Sequence, residues 1–165
     1  MIFGFTLETF TRVHVFISLV GIASGLIVVG GMLRAQRNRQ STAVFLHSTL
    51  LTSITGLLLP SSGITPAVVL GYLSIALMFV AFLAVNSFQF RGSWRWIYVV
   101  TAIVALYFNC FVGVVQAFQK LPTLQPLAPT LTELPFQIAQ GVLLIVMAVL
   151  GFLSVRNFHP EPAAA

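Results

Sequence analysis

The sequence predicts an all-α integral membrane bundle of five transmembrane helices, with the N-terminus outside and the C-terminus cytoplasmic. Three observations carry that expectation. Hydrophobic residues make up 58% of the chain and charged residues only 7%, and mean hydropathy is +1.02. A soluble domain carries about 25% charged residues, so this chain cannot clothe its surface in polar groups and lipid must take the place of water. Five apolar runs follow one another, each roughly 18–25 residues long, enough to cross a hydrocarbon core about 30 Å thick. Lastly, Arg34, Arg37, Arg39, Arg91, Arg95 and Arg156 fall on one side of a five-span arrangement, and only Arg12 and Lys120 fall on the other. Lys and Arg concentrate in cytoplasmic loops, which sets the orientation.

The expected spans are about 11–33, 42–59, 66–90, 94–118 and 136–155, within one transmembrane domain (1–165) whose tail, 156–165, is expected to be flexible. The opening stretch MIFGFTLETF has no Lys or Arg and no small-residue cleavage site, so span one is expected to be retained rather than removed as a signal peptide. His14, Ser18, Gly21 and Gly25 form a stripe along it. The Gly21/Gly25 pair is a GxxxG motif, which permits close helix approach. Span two is the shortest and carries Ser48, Thr49, Thr52, Ser53, Thr55 and Gly56. A tight turn from Pro60 to Pro66 follows, and Pro66 opens span three, where a first-turn proline forfeits no helical hydrogen bond.

Span four begins with Trp94, Trp96 and Tyr98, residues expected at a membrane interface. Tyr98, Ala102, Ala105, Asn109, Gly113, Gln116 and Lys120 follow three- and four-residue steps and share one face. The segment from Lys120 to Pro135 is rich in leucine, while Pro122, Pro126, Pro129 and Pro135 bar a continuous helix. It reads as an interfacial loop or as a lid, with Glu133, its only acid, placed to pair with Lys120 or Arg12. Span five brings Gln137, Gln140, Gly141, Ala148 and Gly151.

Small and hydroxyl residues in these stripes read as packing seams, since Ser and Thr often bond back to their own helix. Amides differ, because an amide in hydrocarbon needs partners. Counting along each span places His14, Gln116, Lys120, Gln137 and Gln140 near the outer surface, with Asn109 roughly 13 Å below it. His14, Asn109, Gln116, Gln137 and Gln140 are therefore the candidate ligand-binding residues. Arg12, Lys120 and Glu133 are the candidate mouth or lid. The plainer reading of the same amides is a structural interhelical hydrogen-bonded seam.

Other chemistries find little support. The net charge of +5 is spread over short loops, which excludes a nucleic-acid partner. Cys110 is the one cysteine, so no intrachain disulfide exists, and an inert thiol is expected. His14 and His47 fall in opposite leaflets, too far apart to hold one haem, and no metal site or other cofactor is expected. The chain has no Asp and no Glu deep inside a span, whereas proton and cation pathways use such carboxylates. No motif for nucleophilic catalysis or nucleotide binding is present, so no catalytic residue is expected.

LTSITG (51–56), RWIYVVTAIVALYFNCFVGVVQAFQKLPTL (95–124) and LAPTLTELPF (127–136) resemble the pattern of a family of small, uncharacterised multi-pass proteins of the bacterial inner membrane. The likeness runs from about 14 to 155. His14, Tyr107, Asn109, Gln116, Phe118, Lys120, Pro129 and Glu133 match that pattern. Leu131, Thr132 and Leu134 depart from it, where the pattern has Gln, Ser and Pro, and so does His47, where it has a small residue. The resemblance implies a bacterial inner-membrane protein and no particular reaction.

The functional expectation is a binding or accessory protein with an outer-leaflet polar cavity for a lipid-like or small amphipathic ligand, or for a partner helix. Alternatives are a transport or channel component acting as a homo-oligomer through the GxxxG face, and a haem or quinone redox protein. The partners these features admit are the lipid bilayer, a second copy, or another membrane protein.

Overall fold

The computed structural model describes residues 4–61 and 63–160. The long elements among them are five α-helices: α1 (Leu7–Leu33), α2 (Arg39–Leu58), α3 (Pro66–Phe82), α4 (Trp94–Lys120) and α5 (Leu134–Asn157). α3 runs on through a π turn, Leu83–Ser87. With that turn included, the five helices have 27, 20, 22, 27 and 24 residues, and all are long and apolar enough to cross a membrane.

Local chemistry sets the ends. α1 starts about a turn before the apolar run because the Thr6 hydroxyl accepts from Thr9 N at 3.2 Å. The Asn38 side chain likewise accepts from Ser41 N at 3.0 Å and starts α2. Thr65 caps α3, with Pro66 at its first position. Such side-chain acceptors satisfy amides that a helix start leaves without a partner. The apolar run expected to continue to residue 90 leaves the helix earlier, after the π turn, where Gln89 and Phe90 take left-handed backbone angles (φ 46 and 61).

α1, α2, α3 and α4 are neighbours in that order round a ring, and α4 also touches α1. α5 packs outside the ring, against α4 and α1. Consecutive helices run antiparallel. One end of the bundle therefore gathers Arg34, Arg37, Arg39, Arg91 and Arg95, and the other holds Lys120 and the starts of α1 and α5.

The core fills the arginine-bearing half. Met32, Phe45, Leu46, Met78, Tyr98, Val99 and Leu106 are all buried there. Gly21 and Gly25 make this packing possible. A Cβ on Gly25 would lie 2.7 Å from Leu106 Cδ1 and 2.8 Å from Phe45 Cε2. One on Gly21 would lie 3.3 Å from Ser48 Oγ and 3.4 Å from Asn109 Nδ2. The GxxxG face expected to serve a second copy is thus spent inside the chain, on α2 and α4.

Polar bonds tie α5 to the ring. Arg95 Nη1 donates to the carbonyls of Val155 and Phe158, both at 2.8 Å. Asn157 Nδ2 donates to Leu33 O at 3.2 Å. The tail expected to be flexible covers 156–165, and its first residues continue the helix. Arg156 and Asn157 complete α5, and Phe158 is buried against Phe90 and Tyr98. Residues 161–165 lie outside the described residues.

Candidate functional site

The ring does not close fully at the Lys120 end. A cavity of about 450 Å³ lies there, between α1, α2, α3 and α4. Its walls are apolar: Val15, Leu19 and Ile22 of α1, Val68 and Leu70 of α3, and Phe108 and Val112 of α4. Small residues hold it open. Gly113 borders it, and a Cβ there would meet only Ile22 Cδ1, at 3.7 Å. Gly71 borders it from α3, packed against Leu57 of α2.

The polar groups have distinct tasks. Asn109 is 8% exposed and borders the deep part of the cavity. Its Nδ2 donates to Thr49 Oγ1 at 3.1 Å, joining α4 to α2. That bond uses one amide proton, and no described side chain donates to Oδ1. Thr52 Oγ1 is buried with no partner among the described residues, and Thr52 borders the same space. Ser74, only 3% exposed, adds a third polar side chain from α3. A buried polar atom without a partner costs about 1–3 kcal/mol, so an occupant that reached Thr52 Oγ1 would recover that cost.

His14 stands nearer the mouth. Its Nδ1 lies 2.8 Å from Thr55 Oγ1. The Thr55 hydroxyl donates to Leu51 O at 2.6 Å, so it accepts from the imidazole, which puts the proton on Nδ1. Nε2 then keeps its lone pair, and the ring borders the cavity. Gln116 and Lys120 of α4 complete the same wall, and the turn residues Pro60 and Ser61 form part of the rim.

The structure thus brings together four of the residues singled out from the sequence, His14, Asn109, Gln116 and Lys120, and separates the other four. Gln140 points to the far side of α4, where its Nε2 donates to Phe111 O at 3.2 Å. Gln137 donates to Thr132 O at 2.7 Å, within its own loop. Neither borders the cavity. They share a depth with the site but belong to α5, which packs outside the ring. Arg12 pairs with Glu8 at 2.6 Å on the surface of α1.

Glu133 pairs with neither Arg12 nor Lys120. Its carboxylate accepts from Thr130 N at 3.1 Å, Thr130 Oγ1 at 2.7 Å and Thr132 N at 3.0 Å. The Thr130 hydroxyl, followed by the backbone amides, holds this carboxyl below the ordinary carboxylate range. Glu133 thus organises the start of α5 rather than a mouth. No residue of 121–135 borders the cavity either, and the α2–α3 turn takes the place expected for the lid. Sequence reasoning missed Ser74 and Gly71, although two small residues in the otherwise greasy α3 were a usable signal.

The cavity can hold a molecule, and no Cys, Asp or Glu is among its lining residues. Cys110 is a free thiol and does not border it. His14 stands beside Thr55 in the last turn of α2, whereas His47 lies in the first half of that helix, bonded to Ala43. Among the described residues no group of three His, Cys, Asp or Glu is placed to hold a metal ion. Comparison with family models, with curated proteins and with solved structures found no match.

Proposed function

We propose that this chain is a multi-pass protein of the bacterial cytoplasmic membrane that binds one small amphipathic or lipid-like molecule in the cavity between α1 and α4. The observation that carries the reading is the pairing of apolar walls with polar side chains at the base, Thr52, Ser74 and Asn109, of which Thr52 Oγ1 has no partner among the described residues. The volume, about 450 Å³, lies within the roughly 300–1,000 Å³ of small-molecule pockets. The lining includes Lys120 and His14 and no acid, which favours a neutral or anionic head over a cationic one. Binding is favoured over passage because the next layer is filled: Phe45 is 1% exposed, and Met78 and Leu106 are 0% exposed.

In this reading the N-terminus is outside and the cavity opens in the outer leaflet. The excess of arginine at the opposite end supports that orientation. A cysteine placed at Ser61 in a Cys110→Ala background checks it: an impermeant maleimide added to intact cells labels Ser61→Cys, and protection from label reverses the orientation.

Binding is tested with nitroxide-labelled stearic acid and the protein in nanodiscs. Gly113→Leu fills the cavity, while Gly30→Ala, where an added Cβ meets nothing within 4 Å, serves as the control. The immobilised fraction of the label falls in the first variant and not in the second, with both proteins melting near the parent. Equal immobilisation in the parent and in Gly113→Leu overturns the reading.

A further inference from the structure

A second hollow, of about 200 Å³, lies at the other end of the bundle, between the start of α2 and the π turn. It shares no residue with the larger cavity. Arg37, Arg39, Thr42 and His47 border it on one side, and Asn86 and Gln89 on the other. Arg37, Arg39, Thr42, Asn86 and Gln89 can donate hydrogen bonds, whereas His47 Nδ1 already donates to Ala43 O at 2.7 Å. No acid borders it, and the acids among the described residues, Glu8 and Glu133, belong to the opposite end.

Two observations mark this as a built site rather than a charged surface. Arg37 Nε is buried and has no partner among the described residues. Its guanidinium carbon lies 4.7 Å over the ring centre of Phe90, within the reach of a cation–π contact that helps hold the group in place. Phe90 is itself set by a left-handed backbone angle, φ 61. A guanidinium held in place with an unused donor suits a bidentate oxyanion.

The surrounding backbone adds to this. The hollow lies beside the first turn of α2, where helix dipoles favour anions. The π turn shifts Asn86 and Gln89 relative to an uninterrupted α-helix, and such turns recur at functional positions. The volume is below the roughly 300 Å³ at which small-molecule pockets begin, so it suits a compact head rather than a whole ligand. Leu46, Phe82 and Val85 complete the lining on its apolar side, and Phe79 beyond them is 66% exposed.

We propose that this hollow binds a phosphate group, with Arg37 and Arg39 as its charged donors and Asn86 and Gln89 completing the shell. The phosphate is carried by a phospholipid whose chains lie along α2 and α3, or it is free in solution. Both sources present the same oxyanion, and the site is independent of what occupies the larger cavity.

The test uses the full chain, delipidated in detergent. Retention of phosphatidylglycerol is followed by native mass spectrometry against diacylglycerol, which lacks the phosphate, and inorganic phosphate is followed by equilibrium dialysis. Phosphatidylglycerol retained over diacylglycerol, without competition from millimolar phosphate, makes lipid the source. Direct binding of inorganic phosphate makes solution the source. The double substitution Arg37→Gln, Arg39→Gln lowers the binding about tenfold or more, the loss expected of a charged hydrogen-bond donor. The pair Arg34→Gln, Arg91→Gln, at exposed arginines of the same end, leaves it unchanged. Where Arg37→Gln unsettles the contact with Phe90, the exposed Arg39→Gln alone reads the site, and a folded Arg39→Gln protein with unchanged retention overturns the proposal. Equal loss in both double variants, or no preference for phosphate over diacylglycerol, overturns it as well.

Discussion

Gly25→Ala adds one methyl group where α1 packs closely against α2 and α4. The new Cβ would sit 2.7 Å from Leu106 Cδ1 and 2.8–2.9 Å from two ring carbons of Phe45. Those contacts are well inside the roughly 3.5–4.0 Å at which carbon atoms attract, so something must move. Leu106 is 0% exposed and Phe45 is 1% exposed, so neither has free space to retreat into. α1 must instead shift away from α2 and α4. Overpacking of this kind costs about 1–3 kcal/mol, and each 1.4 kcal/mol is roughly a tenfold change in the folded-to-unfolded ratio. Unfolding in mixed micelles, titrated with SDS and followed by circular dichroism, measures the loss. Gly30→Ala on the same helix has open space around it and should unfold with the parent or slightly later. A Gly25→Ala protein as stable as the parent would refute the close crossing, and so would an equal loss in both variants.

Other expectations follow from single contacts. A double-mutant cycle of Asn109→Ala and Thr49→Val, read by the same unfolding titration, should give a coupling of about 0.5–1.7 kcal/mol, the range of interhelical side-chain bonds in membranes. Zero coupling would mean that the 3.1 Å contact contributes nothing. Arg95→Ala removes both bonds to the end of α5. It should cost about 1.5–3 kcal/mol and hasten proteolysis after Phe158, which gel analysis of a timed digest would show. The depressed carboxyl of Glu133 stabilises its turn at and above the ordinary carboxylate value of 4.5, and that contribution is lost as pH falls through the lower folded value. NMR shifts of the Thr130 and Thr132 amides should therefore titrate below pH 4.5 in the parent and stay flat in Glu133→Gln.

How far the sequence reveals this arrangement differs from helix to helix. The five apolar helices are visible in composition alone, because each must satisfy its own backbone in lipid. The seam of α4 is also visible: its steps of three and four residues put Tyr98, Ala102, Ala105 and Asn109 inside, and Gly113, Gln116 and Lys120 on the cavity. Depth alone could not place the glutamines of span five. A count along a helix gives height but not azimuth, and Gln140 faces Phe111 rather than the ring axis. The partner of Asn109 lies 60 residues away on α2, and nothing in the pattern of either helix selects Thr49 among the seven hydroxyl residues of α2. Glu133 shows a different limit. Charge complementarity pointed to distant cations, but the nearest donors were the threonines and amides of its own turn. The arginine-lined hollow depends on where the π turn directs Asn86 and Gln89, and hydropathy does not report such a turn.

The outlying position of α5 has a consequence for assembly. It buries only Met147 and Ser154, lends no side chain to the larger cavity, and is held by Leu143, Met147 and Leu150 against the core and by a few polar clasps nearer its extremities. The first four helices therefore enclose that chamber without it. Severing the backbone between Lys120 and Leu134 and supplying the last segment as a separate polypeptide should leave the chamber intact, with the fifth helix acting as a detachable brace.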